Sequence, residues 1–255
     1  MPTALVTGAT AGIGESFTRL LAAKGFDLVL VARDKKRLQE RANLLSKKYK
    51  VDVEVLQADL SVPAQLAKVA KRLSNPKKPI EVLINNAGFG IKDSFLASNI
   101  ADEILLMDVL AKAPMQLMHA VLPQMLSRDS GTIINVSSVA SFIAGGTYSA
   151  AKSYLTVHTE SLHTELSNTN INISALCPGF THTEFHQRGK MKMSGLPNFM
   201  WLEADRVVAD SWRAAMSGQA ICIPGWQYKI LSTIARFGPR PLVRKLGIKV
   251  RARQR

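Results

Sequence analysis

The chain has 255 residues, of which 47% are hydrophobic, and this size and composition suit one globular α/β domain with a substantial core. Its two cysteines are too few for a disulfide framework. Because no leader-like segment and no run of about 18 apolar residues occurs, we expect a cytoplasmic protein without a spanning helix. The formal net charge is +14, and residues 225–255 hold nine of the 33 Lys and Arg residues and no acid, without a nucleic-acid recognition motif.

Short apolar runs alternate with helical patterns along the chain. The predicted strands are Ala4–Thr7, Asp27–Ala32, Asp52–Gln57, Val82–Asn85, Gly131–Val136, Ile171–Cys177 and Ala220–Ile223. The predicted helices are Ile13–Lys24, Lys35–Tyr49, Pro63–Leu73, Ile100–Leu126, Tyr148–Ser167 and Ala204–Met216. This alternation predicts a parallel sheet with helices on both faces and a ligand site at the carboxyl edge of the strands.

The first strand ends in a glycine-rich turn, Thr7-Gly-Ala-Thr-Ala-Gly-Ile-Gly14, which an amphipathic helix follows. Glycines at positions 8, 12 and 14 let the backbone turn tightly and approach a pyrophosphate, to which a helix N-terminus offers free N–H groups. Tight turns use glycine for other reasons as well, but the strand–turn–helix context predicts a nucleotide site.

The end of the second strand predicts the choice of cofactor. Dinucleotide folds selective for NAD place an acid here, to bind the ribose hydroxyls. This chain has Ala32 followed by Arg33, and a guanidinium can bind a 2′-phosphate. We therefore expect NADP(H) to be preferred. NAD(H) stays an alternative because Asp34 is adjacent, and Arg33 could also be a solvated side chain.

Tyr148 and Lys152 are four residues apart in a predicted helix, so their side chains project from the same face. An ammonium close to a phenol favours the phenolate and lowers the phenol pKa from about 10. A phenol tuned in this way can exchange a proton with a substrate oxygen. Ordinary solvated helix faces show the same spacing, so the spacing alone does not indicate a catalytic pair. The other motifs of the chain are needed for that interpretation.

Five segments resemble, in order, the motifs of the classical short-chain dehydrogenase/reductase (SDR) family. They are Thr7–Gly14, Asn85–Gly88, Ser137-Ser138, Tyr148–Lys152 and Cys177–Thr183. The resemblance covers about residues 3–225. It implies a single-domain, three-layer Rossmann fold with a doubly wound sheet of seven parallel strands over residues 1–225, including a substrate loop at about 178–203.

The resemblance also implies roles for individual residues. Tyr148 would be the general acid in carbonyl reduction or the base in alcohol oxidation, and Lys152 would lower its pKa and bind the nicotinamide ribose. Ser138 would donate a hydrogen bond to the substrate oxygen, although a serine pair can also be a polar strand end. The residues implied to hold the cofactor are Gly8, Thr10, Ala11, Gly12, Ile13, Gly14, Arg33, Asp59, Leu60, Asn86, Ala87, Gly88, Tyr148, Lys152, Pro178, Gly179, Phe180, Thr181 and Thr183.

The chain departs from the family pattern at two places. Ser138 precedes Tyr148 by ten residues, a shorter spacing than is usual in the family, which should change the shape of the pocket. Leu110 stands where the family often has an Asn that anchors a water of the proton relay. These departures leave open a protein that binds NADP but catalyses poorly.

Apolar residues around the expected pocket favour a hydrophobic carbonyl or secondary alcohol as substrate. They are Phe89, Phe142, Ile143, Phe180 and Phe185. We expect no metal site, because His182 and His186 lack a clear third ligand. By resemblance, helices at about 100–126 and 148–167 would form the interface of a homodimer or homotetramer.

The last segment, residues 226–255, is predicted to be a basic amphipathic extension. Trp226, Ile230, Ile234 and Phe237 recur at helical spacing among lysines and arginines. Such a segment can lie on an anionic membrane surface, which would make the chain a membrane-surface binding protein. Alternatively, its apolar face packs on the body of the protein, beside the pocket or a partner subunit, while the basic end stays solvated.

Overall fold

Seven parallel strands form one sheet in the order β3-β2-β1-β4-β5-β6-β7. The computed structural model describes residues 1–185, 197–241 and 243–244. The strands are β1 (Thr3–Thr7), β2 (Asp27–Ala32), β3 (Val53–Gln57), β4 (Val82–Asn85), β5 (Gly131–Val136), β6 (Ile171–Leu176) and β7 (Ile221–Cys222). The strand order reverses between β1 and β4, which opens a crevice at their carboxyl ends. The predicted doubly wound sheet is confirmed.

Helices cover both faces of this sheet. They are α1 (Gly12–Ala23), α2 (Lys35–Tyr49), α3 (Pro63–Leu73), α4 (Ile100–Met107), α5 (Ala113–Arg128), α6 (Thr147–Glu165), α7 (Ala204–Met216) and α8 (Trp226–Phe237). One apolar cluster joins the sheet to α1, α2 and α7, and a second joins its other face to α3, α5 and α6. The predicted three-layer Rossmann architecture is therefore confirmed.

Local chemistry explains where the helices begin and end. The Asp34 carboxylate accepts a hydrogen bond from the Arg37 N–H at 3.0 Å and caps α2. Lys50, with φ of 60°, ends the same helix in the left-handed region. Pro63 occupies the first turn of α3, where its missing N–H costs nothing. The bounds of α2 and α3 agree with the predicted ranges.

The predicted helix Ile100–Leu126 is interrupted in its middle. A π-helical turn at Asp108–Lys112 joins α4 to α5, and turns of this kind occur most often at functional sites. Leu110 lies on this turn, buried in the interior. By length and composition alone, the stretch Ile100–Arg128 could cross a bilayer, and 44% of its most apolar window is buried in the structure; one such helix is weak evidence of a membrane span.

Candidate active site

The glycine-rich turn after β1 is held by the loop after β4. The Asn86 side-chain amide donates to the carbonyls of Thr7 (2.9 Å) and Gly8 (3.2 Å). In return, the Thr7 hydroxyl accepts from the backbone N–H groups of Asn86 and Ala87 at 2.9 and 3.0 Å. Two of the five motif segments are thus bonded to each other.

The same turn has the features of a pyrophosphate cradle. Gly8 and Gly12 have φ of +65° and +55°, which favour glycine. A Cβ on Gly14 would lie 2.3 Å from the Gly8 carbonyl oxygen, so any larger residue would displace the turn. Helix α1 begins without a side-chain cap, which leaves its first N–H groups for a ligand. These residues therefore fit the phosphates of a dinucleotide.

The loop after β6 lies against this turn. A Cβ on Gly12 would lie 2.9 Å from the Thr183 Cβ, so the two segments are in close contact. Glu184, the next residue, forms an ion pair with Arg37 on α2 at 3.1 Å. Neither Arg37 nor Glu184 was predicted from the sequence. They are 147 residues apart, so no local pattern signals their pairing.

Arg33 and Asp59 are neighbours at the ends of β2 and β3. Arg33 is exposed, and its carbonyl accepts from the Gln57 side-chain amide at 2.9 Å. Burial pushes the pKa of the Asp59 carboxyl up, but hydrogen bonds from Ser61 and the Arg33 charge outweigh it and leave the pKa lowered. A guanidinium is therefore available beside the position where the sequence predicts a 2′-phosphate.

Ser138, Tyr148 and Lys152 converge beyond the carboxyl end of β5. Lys152 lies one helical turn after Tyr148 on α6, with its Nζ 5.8 Å from the centre of the Tyr148 ring. The Ser138 side chain lies beside the Tyr148 hydroxyl and favours its ionised form. The structure thus brings together the three side chains predicted to be catalytic.

The short loop between Ser138 and Tyr148 closes without breaking this cluster. The Ser138 hydroxyl accepts from the Ala140 N–H at 3.1 Å and so begins a single 3₁₀ turn, Val139–Phe142. Gly146, with φ of 84°, then directs the chain into α6. The shorter spacing therefore changes the loop but keeps the two hydroxyls adjacent.

Ser137 has a different role from Ser138. Its hydroxyl donates to the Lys152 carbonyl at 2.9 Å and lies 2.6 Å from the Thr156 hydroxyl, all within the interior. The Lys152 ammonium donates to the Val136 carbonyl at 2.7 Å. These bonds fix α6 on β5, so Ser137 positions the helix that carries Tyr148 and Lys152.

The pKa of Tyr148 differs from the sequence expectation. Burial around the hydroxyl raises its pKa to about 12, only partly offset by the neighbouring Ser138 side chain. Burial also lowers the pKa of Lys152 to about 8, against a weaker opposing effect of Cys177. The expected lowering of the Tyr148 pKa by Lys152 is therefore wrong: burial sets the direction of the shift, and Lys152 is not among its causes.

Leu110 fills the space behind the cluster with hydrocarbon. It packs with Leu106, Val109 and Ala151, and Tyr148 lies against this group. A cavity of only about 10 Å³ is lined by Leu110, Lys152 and neighbouring residues. That volume is at the lower limit for one water molecule, so no chain of waters fits there.

Four of the five apolar residues expected around the pocket divide into two groups. The Phe185 ring centre lies 6.0 Å from that of Tyr148, and Phe89 packs into the same apolar group as Tyr148. Phe180 instead packs on the main core, and Phe142 lies under the Arg236 guanidinium at 5.3 Å. Phe89 and Phe185 are therefore the two that adjoin the phenol.

The described part of the 178–203 loop is organised around aromatic rings. His182 stacks on Trp201 with ring centres 4.7 Å apart and lies 3.8 Å from the Glu203 carboxylate. His186 lies outside the described residues. In the part of the chain that the structure describes, no three metal-ligating side chains form a group.

Sequence reasoning also missed a buried polar network beneath the site. Asn85 on β4 donates to the Asn135 side-chain carbonyl on β5 at 2.9 Å, and Asn135 donates to the Thr159 hydroxyl on α6 at 2.8 Å. The network joins two central strands to the helix that carries Tyr148. Both asparagines lie in predicted strands, and their polarity in fully buried positions was the available signal.

The comparisons with known proteins agree with this geometry. A family model described as short chain dehydrogenase matches residues 2–193. An NADP-dependent 3-hydroxy acid dehydrogenase from Schizosaccharomyces pombe is 36% identical over 189 residues, which are 72% of this chain and 73% of that protein.

Solved structures resemble the whole fold. A short-chain dehydrogenase from Sphingobium yanoikuyae in complex with NADPH is 34% identical, with a TM-score of 0.85 and coverage of 91% of this chain and 93% of that chain. A bulky-bulky ketone specific alcohol dehydrogenase from Comamonas testosteroni is 30% identical, with a TM-score of 0.80 and 91% coverage of both chains. The chain therefore belongs to the classical short-chain dehydrogenase/reductase family.

Proposed function

We propose that this oxidoreductase is an NADP(H)-dependent enzyme that interconverts a carbonyl and a secondary alcohol on a hydrophobic small molecule. The observation that carries the proposal is the juxtaposition of Ser138, Tyr148 and Lys152 beyond the glycine turn. When bound, a nicotinamide dinucleotide would supply or accept the hydride. The protein's own groups then have to bind the substrate oxygen and move one proton.

The proton chemistry follows from the two hydroxyls. Ser138 would donate a hydrogen bond to the substrate oxygen and stabilise the negative charge that develops there. Tyr148, whose pKa is raised to about 12, stays protonated at neutral pH. It would therefore give its proton to that oxygen during reduction. Oxidation of an alcohol would need the phenolate instead, which would accept the hydroxyl proton.

The cofactor preference rests on Arg33 and on the absence of an acid at position 32. The guanidinium would pair with a 2′-phosphate, while the glycine turn and the start of α1 would hold the pyrophosphate. The structural relative from Sphingobium yanoikuyae holds NADPH, and the yeast relative is NADP-dependent. NAD(H) would lack the group that Arg33 binds.

The substrate class rests on the rings beside Tyr148. Phe89 and Phe185 would offer an apolar surface to a ketone, and Leu110 removes a polar side chain from the same region. The Comamonas testosteroni relative is described as specific for bulky-bulky ketones.

We propose a cytoplasmic homodimer or homotetramer. The oligomer is supported by three exposed apolar residues, Ile104 on α4, Leu126 on α5 and Val157 on α6.

A screen of NADPH oxidation over ketones and aldehydes of graded size and polarity tests the proposal. We expect turnover of hydrophobic ketones and faster turnover with NADPH than with NADH. Turnover confined to small hydrophilic sugars would contradict the substrate class. NADPH binding without turnover of any carbonyl would favour the second candidate, an NADP-binding protein impaired by Leu110 and the short serine loop.

A further inference from the structure

Helix α8 packs on the protein with its polar face inward and its apolar face outward. Trp226 and Phe237 are 68% and 82% exposed, and Ile230 and Ile234 lie between them on the same exposed stripe. The inward face carries Gln227, Tyr228, Ser232 and Ala235. The apolar face of this helix therefore does not pack on the body of its own chain.

The inward face of α8 is anchored by specific polar contacts. The Tyr228 hydroxyl donates to the Met200 carbonyl at 2.5 Å and accepts from the Phe180 N–H at 3.0 Å. The Gln227 amide donates to the Phe199 carbonyl at 2.8 Å. Because these bonds hold α8 in place, turning the apolar stripe inward would break several buried hydrogen bonds.

The same contacts connect α8 to the proposed pocket. Phe180 and Met200 belong to the two ends of the loop 178–203, and Arg236 lies over Phe142 in the turn that follows Ser138. Arg236 also pairs with Glu160 on α6 at 3.6 Å. A surface that receives α8 would therefore lie beside the loop and the serine turn.

Charge identifies the partner of the apolar stripe. Lys229 and Arg240 are exposed within or just after α8, and residues 225–255 contain nine basic residues and no acid. A second copy docked through this face would bring like charges together, whereas anionic headgroups attract them. Aromatic and branched side chains flanked by lysine and arginine are typical of helices that lie in a bilayer interface.

We propose that the outer face of α8 docks on the surface of an anionic lipid bilayer. Docking would place the described ends of the loop, residues 178–185 and 197–203, near that surface, where a membrane-dissolved ketone or alcohol could enter. The second statement rests on the proposed oxidoreductase function, whereas the docking itself does not.

Co-sedimentation of the full chain with vesicles tests the docking. The vesicles are phosphatidylcholine alone or with about 30 mol% phosphatidylglycerol. We expect binding to the anionic vesicles only, weakened by high salt. Ile230→Ser/Phe237→Ser should lower the partition coefficient at least about tenfold, because both side chains would lose their burial in lipid. The control Leu44→Ser/Met216→Ser removes exposed apolar residues from α2 and α7 and should bind as the unmodified chain does.

The fluorescence of Trp226 gives a second readout that needs no destabilising change. Anionic vesicles should shift the emission to the blue, and Trp226→Phe should abolish that shift. Equal binding to both kinds of vesicle, or equal binding by Ile230→Ser/Phe237→Ser, would overturn the proposal. A third outcome would also overturn the proposal: the unmodified chain binds no vesicles but self-associates, and Ile230→Ser/Phe237→Ser does not self-associate. The apolar face of α8 would then contact a second copy of the chain.

Turnover separates the two proposals. With a water-soluble ketone, Ile230→Ser/Phe237→Ser should react as fast as the unmodified chain. With a long-chain ketone dissolved in anionic vesicles, it should react at least about tenfold more slowly, following its weaker partitioning. Vesicle binding without reduction of any ketone would remove the enzymatic function and leave the docking intact.

Discussion

The glycine turn and the Tyr148 cluster lie along the same edge of the sheet but are built from different parts of the chain. The turn is made of backbone, and its shape depends on having no Cβ at positions 8, 12 and 14. The cluster is made of side chains held by α6 and the serine turn. A change in the turn should therefore alter binding, whereas a change in the cluster should alter the chemical step.

Lys152→Met should have the largest effect among the substitutions that separate cofactor binding from the chemical step. We expect kcat to fall about 100-fold or more, because the proton-transferring phenol loses its neighbouring ammonium. The dissociation constant of NADPH, followed by its fluorescence, should change less than about tenfold. Lys112→Met, which removes an exposed lysine, should leave both values unchanged. A large rise in the NADPH dissociation constant with little loss of kcat would contradict the contrast.

The same variant should be more stable than the unmodified chain at neutral pH. Burial lowers the pKa of Lys152 to about 8, so below that pH the folded state carries a charge that the unfolded state accommodates better. Removing that charge should raise the free energy of unfolding by up to about 3 kcal/mol. Leaving the Val136 carbonyl without a hydrogen bond should lower it again by about 1 kcal/mol. Urea unfolding should show the gain below pH 8 and its decline as pH rises towards the unfolded pKa. Equal stability at all pH values would argue against a buried ammonium.

Gly14→Ala tests the backbone-built region. The added Cβ would lie 2.3 Å from the Gly8 carbonyl oxygen, so the turn must shift. We expect the NADPH dissociation constant to rise at least about tenfold and stability to fall by about 1–3 kcal/mol. Gly25→Ala is the matched control, because its φ is +82° but nothing lies within 4 Å of the new Cβ. It should lose about 1 kcal/mol and bind NADPH normally.

Arg33→Ala should have the smallest effect, confined to cofactor choice. Loss of one charged hydrogen-bonding group should weaken NADPH binding about 10-fold and leave NADH binding almost unchanged. Arg213→Ala, which removes an exposed arginine on α7, is the control. An equal loss for both cofactors would mean that Arg33 contacts something other than the 2′-phosphate.

Periodicity predicted the fold well because each buried strand and amphipathic helix repeats its pattern over many residues. The bounds of α2, α3, α7, β2, β4 and β5 agree with the predicted ranges. The π-helical turn at Asp108–Lys112 escaped prediction, since an inserted residue leaves no mark on an apolar helix pattern.

Motifs identified the side chains that the fold brings together, but they did not predict the electrostatics or the orientation of α8. Four-residue spacing puts Lys152 beside Tyr148, yet burial decides the direction of both pKa shifts. Helical spacing found the apolar stripe of α8, but Tyr228 holds the opposite face to the body through bonds to distant residues. Long-range contacts of this kind leave no local pattern.

The most direct test of the account is single-turnover reduction of a hydrophobic ketone by the NADPH complexes of the Tyr148→Phe and Tyr154→Phe variants. Both tyrosines lie on α6, but only Tyr148 lies beside Ser138, whereas Tyr154 is exposed. We expect Tyr148→Phe to reduce the ketone about 10²–10⁴-fold more slowly and to bind NADPH within about tenfold of the unmodified chain, while Tyr154→Phe keeps its rate. Full activity in Tyr148→Phe would show that another group supplies the proton and would contradict the proposed mechanism.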